Sequence, residues 1–228
     1  MTLDGKIETI KTRIKKAQKK TGINHPVKII AVTKTHPFST IKKCYKSNLF
    51  SVGENKIQEA EKKFEAFKDM PKIEKRFIGH LQTNKVNKCL SLFDTIDTID
   101  SFRLAKKISN SADRLGKKIT GLIEVNTSGE AQKKGFLVNE VEKIMSCLDL
   151  PRLKIVGLMT MGPNTKNTNQ IRGSFKKLRE LKNSINQNRT NKILELSMGM
   201  SGDYEIAVEE GATMIRLGTI LFGKRGAL

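Results

Sequence analysis

V-K-I-I-A-V-T-K, from Val27 to Lys34, is a short apolar run closed by a lysine, and the segments around it decide the fold. Its length and branched side chains suit one buried strand. An amphipathic helical pattern over about 3–20 precedes it. No G-x-G-x-x-G follows it, which disfavours an open doubly wound sheet built for dinucleotides. Seven more apolar runs follow the strand at 27–33, namely 49–52, 76–79, 95–99, 119–125, 154–160, 193–197 and 213–217. Each leads into a helical pattern. Eight such units predict an α/β chain whose parallel strands close into a (β/α)8 TIM-barrel-like domain with an extra N-terminal helix. No linker or repeat interrupts residues 1–228, so one domain is expected. Ser39 and Ser101 stand where N-caps belong, before helices at about 40–47 and 102–115. Gly116 and Gly211 fit C-terminal caps.

Composition narrows the function classes. The formal charge is +20, with 33 lysines against 10 arginines and only 5% aromatic residues. Base recognition favours arginine and exposed aromatics, and these lysines spread over every helix. The charge therefore reads as a chain-wide surface bias, and specific nucleic-acid binding is not expected. Three cysteines (Cys44, Cys89, Cys147) and three histidines (His25, His36, His80) are scattered, with no Cys-x-x-Cys pair. Neither a disulfide framework nor a metal site is expected. No apolar stretch approaches a membrane span and no secretory leader is visible, so a cytoplasmic location is the default.

In such a barrel the chemistry sits at the C-terminal strand ends. Those ends read Lys34, Gly53-Glu54-Asn55, His80, Asp100, Asn126, Met159, Ser197 and Gly218-Thr219. An amine at the end of a buried strand loses solvation, which favours its neutral, nucleophilic form. In T-M-I-R-L-G (213–218), alternation puts Met214, Arg216 and Gly218 on one face and Ile215 and Leu217 on the other. If the apolar pair meets the helices, Arg216 points into the barrel and requires a buried carboxylate or a ligand acceptor. Loops after the last two strands often hold phosphate in this fold. Here they carry L-S-M-G-M-S and R-L-G-T, which makes Ser197, Ser201, Gly218 and Thr219 phosphate candidates. Ser201 also reads as a cap for the helix that follows. An inward lysine, an inward arginine and a phosphate loop match the needs of pyridoxal 5′-phosphate (PLP).

The segments A-V-T-K (31–34), G-E-N-K-I-Q-E (53–59), F-I-G-H-L-Q-T-N-K (77–85), G-L-M-T-M (157–161), L-S-M-G-M-S (196–201) and R-L-G-T-I-L-F-G (216–223) run in order along nearly the whole chain. Together they resemble the pyridoxal phosphate homeostasis protein family, related to the N-terminal barrel of alanine racemase. The resemblance implies a PLP-binding barrel in which Lys34 carries the cofactor as a Schiff base. It implies Arg216 near the pyridine nitrogen, Ser197, Gly218 and Thr219 at the phosphate, and Asn55 and Met159 lining the ring pocket. Two departures stand out. Lys75-Arg76 replace the Trp-His that family members often carry, and the loop G-P-N-T-K-N after the sixth strand is atypical.

The function implied is intracellular PLP homeostasis, by buffering the cofactor or delivering it to PLP-dependent apo-enzymes, without robust catalysis. A two-base racemase needs a proton carrier opposite the lysine. The only tyrosines, Tyr45 and Tyr204, fall in helix-like segments, and the chain stops shortly after the eighth strand. The alternatives are a weak PLP-dependent racemase or lyase and, behind it, a basic nucleic-acid binder. Without a second domain to build a racemase-type dimer, a monomer is expected.

Overall fold

The computed structural model describes residues 1–64, 70–187 and 189–223. Helix α1 (Leu3–Thr21) starts on Thr2, whose hydroxyl accepts the Gly5 N–H, and buries Ile7, Ile10, Ile14 and Ala17 at helical spacing. Parallel strands then alternate with helices. They run β1 (Lys28–Val32), α2 (Phe38–Lys46), β2 (Ser51–Glu54), α3 (Ile57–Phe64), β3 (Glu74–Phe77), α4 (Val86–Leu92), β4 (Thr95–Ile99), α5 (Phe102–Arg114) and β5 (Ile119–Asn126). The second half runs β6 (Phe136–Leu137), α6 (Val141–Leu148), β7 (Leu153–Met159), α7 (Thr168–Gln187), β8 (Glu195–Ser197), α8 (Tyr204–Glu209), β9 (Met214–Leu217) and α9 (Thr219–Phe222).

Strand β9 pairs with β1 and β4 with β5, which closes eight parallel strands into a barrel. The (β/α)8 architecture with an added N-terminal helix is the one the sequence predicts. The two-residue β6 was not anticipated; it lies beside the end of β5, pairing Val125 with Phe136.

Two strands sit off their expected places. β2 occupies 51–54 instead of 49–52, and β3 occupies 74–77 instead of 76–79. The cause is that both carry polar residues into the interior, which an apolar count misses. Ser51 and Glu74 hydrogen-bond each other at 2.9 Å, and Arg76 alternates with outward-packed Phe77. Ser39 is not the cap of α2; Pro37 holds that position and Ser39 lies within the first turn. Ser101 does cap α5, its hydroxyl accepting the Leu104 N–H at 3.3 Å. Ser101→Ala is expected to cost about 1 kcal/mol, read by urea unfolding. Gly116 and Gly211 follow α5 and α8 at φ 61° and 92°, as C-terminal caps should.

The apolar interior divides in two. A large cluster fills the space between barrel and helices, and a small one of Ile30, Leu122, Met159 and Met214 with Val156 fills the lumen. Beside the small cluster stands a charged group. Arg76, 1% exposed, grips fully buried Asp97 through Nε and Nη2, both at 2.8 Å, and its Nη1 meets Glu74 at 2.8 Å. Arg76 is therefore a barrel-filling residue of β3, not a loop feature. All three cysteines are buried and free, and burial pushes the Cys44 and Cys147 thiols up to about 12. Among the described residues, no helix is long and apolar enough to cross a membrane, and no group of three or more His, Cys, Asp or Glu could hold a metal.

Candidate functional site

Five neighbouring staves, β7, β8, β9, β1 and β2 in barrel order, supply every site residue expected from the sequence. Lys34 lies in the turn just past β1 and is half-buried. Asn55 directly follows β2, and its side-chain Oδ1 is buried with no hydrogen-bond partner. Met159 ends β7 and belongs to the lumen cluster.

Arg216 is inward, as alternation predicts, and 6% exposed. Its Nη1 donates to the Ser197 carbonyl and hydroxyl, both at 2.8 Å, and its Nη2 to the Thr160 carbonyl at 2.7 Å. Burial pulls the guanidinium below its ordinary value, while the carboxylates of Asp97, Glu124 and Asp203 pull the other way. A guanidinium stays charged throughout the physiological range regardless. Thr160 is itself fixed: its hydroxyl donates to the Val125 carbonyl at 2.7 Å and meets Thr127 Oγ1 at 2.9 Å, which in turn meets Ser174 Oγ at 2.6 Å. Ser197 is fully buried beneath Arg216, so in this structure it anchors the arginine.

The loops after β8 and β9 are stitched together. Ser201 does not cap α8, whose N-cap is Asp203. Its hydroxyl instead accepts the Ile220 N–H of α9 at 3.2 Å. Gly218 is the N-cap of α9, and Thr219 is exposed at its first turn. Gly199 sits at φ 94°, and a Cβ there would fall 2.5 Å from the Ala207 Cβ. Only glycine lets this loop close over α8, and its carbonyl then accepts the Arg216 N–H at 3.0 Å. Ser201, Gly218 and Thr219 therefore share one small loop cluster beside Arg216.

Two buried residues, Glu124 and Lys63, escaped the sequence reading. Glu124, on β5, is 5% exposed, and burial with the nearby Asp100 pushes its carboxyl up to about 7, against the pull of Arg216. The alternation that found Arg216 would have found it, because Leu122 and Glu124 share a face. A raised folded-state value means the neutral acid is the favoured form. Its stabilisation is complete below the ordinary 4.5 and is lost as pH rises through about 7. Stability is expected to fall by about 3 kcal/mol across that window and then level off, and Glu124→Gln should flatten the fall. Urea midpoints measured from pH 4 to 8 check this. On the same rim, His80 Nδ1 lies 3.1 Å from Asp100 Oδ2. Behind Lys34, buried Lys63 joins Glu54 and Glu59.

Chemically, the mouth offers an amine, a buried donor fork, an unpartnered amide oxygen and a hydroxyl-bearing loop cluster. That set suits a ligand with an electrophilic carbon, a ring acceptor and an anionic group.

Known proteins are similar to this chain in sequence and fold. The alanine racemase N-terminal domain family matches residues 6–226. A pyridoxal phosphate homeostasis protein of Aquifex aeolicus is 39% identical over 222 residues, covering 96% of this chain and 97% of the relative. That of Synechocystis is 40% identical over 200 residues, 87% of this chain and 92% of the relative. Among solved structures, PipY of Synechococcus elongatus without PLP superposes with a TM-score of 0.88 at 30% identity, covering 97% of this chain and 100% of PipY. Its PLP-bound form gives 0.81 at 32% identity, covering 92% of this chain and 100% of PipY. An alanine racemase of Clostridium difficile shares the fold with a TM-score of 0.76 at 17% identity, over 99% of this chain and 56% of the racemase.

Proposed function

Because the chain belongs to the pyridoxal phosphate homeostasis protein family, we propose that it binds PLP at the barrel mouth and serves intracellular PLP homeostasis. The observation that carries this reading is Arg216, a buried guanidinium fixed by three hydrogen bonds, on the strand beside the one that leads into Lys34. The unpartnered Asn55 oxygen supports the same fit. When bound, the cofactor supplies an electrophilic aldehyde and a ring able to delocalise electrons.

Lys34 would hold it covalently, its Nζ displacing the aldehyde oxygen as water. Arg216 would face the ring nitrogen. A guanidinium only donates hydrogen bonds, so it requires an acceptor there and disfavours a protonated ring. That weakens the ring as an electron sink and suits holding over turnover. Ser197 keeps Arg216 in place; Ser201, Gly218 and Thr219 take the phosphate; Asn55 and Met159 line the ring. PLP-dependent apo-enzymes are the recipients. Met161 and Met200, 41% and 40% exposed, flank a cleft of about 600 Å³ beside the mouth and offer such enzymes an apolar foothold. Residues 1–228 act as one domain, monomeric and cytoplasmic.

A spectrum of the purified protein with PLP, before and after borohydride reduction, tests this. A new band near the visible edge, and a reduced adduct mapped to Lys34, are expected. An adduct mapped elsewhere would sink the assignment. A second reading, a weak racemase or lyase, is favoured by the His80–Asp100 pair, because a carboxylate-oriented imidazole at the rim is a ready proton carrier. Loss of optical purity from single amino-acid enantiomers, above that with free PLP and removed by His80→Ala, would support it.

A further inference from the structure

Lys63 looks from sequence like one more solvated helix lysine, yet it is 7% exposed. Its Nζ donates to Glu54 Oε1 at 2.8 Å, to Glu59 Oε1 at 2.8 Å and to the Thr33 carbonyl at 3.0 Å. An ammonium has three protons, and these three bonds use them all. The acceptors are shared in turn. Glu54 Oε1 also accepts the Thr33 hydroxyl at 2.6 Å, and Glu59 Oε1 also accepts the Thr35 N–H at 2.5 Å.

Burial pushes the Glu54 carboxyl above its ordinary range, only partly offset by Lys63 and Thr33. Burial also acts to raise Glu59, but hydrogen bonds from Lys63 and the Thr35 N–H outweigh it and hold that carboxyl below its ordinary value.

What sets the cluster apart is the peptide it grips. Thr33 and Thr35 flank Lys34, and Thr35 adopts φ 65°. A β-branched residue in the left-handed region is strained and persists only where its surroundings over-determine it. The N–H that Glu59 accepts belongs to that strained residue. The Thr33 carbonyl, gripped by Lys63, also accepts the His36 N–H at 3.0 Å and closes the same turn. A cluster that merely fastened α3 to the barrel would have no need of both peptide groups around Lys34.

We propose that Glu59 and Lys63 are positioning residues that hold the Thr33–His36 turn in its left-handed form. They thereby set how the Lys34 amine is presented to an aldehyde ligand. This rests on the reading of Lys34 as the covalent attachment point.

The test compares Glu59→Ala, which removes the acceptor, with Glu59→Gln, which keeps one, and adds Thr35→Asn, because asparagine tolerates the left-handed region. Two quantities are read: the rate constant for PLP condensation followed by absorbance, and amide hydrogen exchange at Thr35 in ligand-free protein. Glu59→Ala is expected to slow condensation by about tenfold or more and to speed Thr35 exchange, with Glu59→Gln close to wild type. Adding Thr35→Asn to Glu59→Ala should restore most of the lost rate, a rescue that loosened helix packing would not give. Condensation by Glu59→Ala at the wild-type rate, or a slow rate that Thr35→Asn leaves unchanged, overturns the proposal. Wild-type protein that forms no adduct at Lys34 overturns the attachment reading instead. Thr35 exchange then decides the clamp alone, and unchanged protection in Glu59→Ala refutes it.

Discussion

Lys34→Ala is expected to lose the whole visible-edge absorbance that PLP induces, together with all adduct recovered after borohydride reduction. Exposed lysines elsewhere among the described residues cannot substitute. An exposed amine is strongly hydrated and protonated at neutral pH and has no Arg216 or loop cluster to orient the ligand. Tethering at Lys34 converts a bimolecular capture into a reaction within a bound complex, and such orientation is worth orders of magnitude in rate. Arg216 and the loop cluster of Ser201, Gly218 and Thr219 remain in the variant, so PLP is expected still to bind reversibly, with an unchanged thermal midpoint in its absence. Retention of even half the absorbance by Lys34→Ala would remove the attachment role from this residue.

The second large effect is on stability. Arg76→Met removes the partner of fully buried Asp97, leaving it the Thr95 hydroxyl at 3.1 Å as a hydrogen bond and Arg216 as a more distant cation. Breaking a buried pair by removing one partner costs about 3–5 kcal/mol, because the stranded charge has lost its water as well as its mate. Glu74 suffers less, since Lys28 at 3.3 Å and Ser51 still serve it. Arg76→Met combined with Asp97→Asn is expected to recover most of the loss, although it deletes more interactions than the single change. Urea unfolding of both variants decides the matter. Equal losses in the two would mean that the volume of Arg76 matters and its charge does not.

These expectations show where the sequence was legible. β1, β4, β5, β7 and β9 are apolar runs whose alternation or continuity states their burial. Arg216 could be read as inward because Ile215 and Leu217 so plainly belong outside. The same rule failed for β3, where E-K-R-F carries three charges, because alternation identifies a strand only when its inward face is apolar. The barrel tolerates Glu74 and Arg76 inside because Arg76 pairs with Asp97 of β4 and Glu74 with Arg76 itself and with Lys28 of β1, and pairing between strands leaves no local trace. Lys63 was hidden for the opposite reason. In E-A-E-K-K-F it sits among charges that mostly face water, and only the approach of β1 and β2 turns it into a buried donor. Ser201 was found as a phosphate candidate and misread as a cap, since one hydroxyl near two helix starts can serve either.

The filled lumen has a consequence for traffic. The apolar cluster of Ile30, Leu122, Met159 and Met214 and the Arg76–Asp97 pair pack the barrel interior, as side chains fill barrels of this kind. The molecule is a cup and not a pipe. Whatever enters at the rim must leave by the same rim, so loading and unloading compete for one doorway. In the proposed role, a recipient enzyme would have to approach the face that also admits free cofactor, and a docked recipient would shut out reloading until it departed.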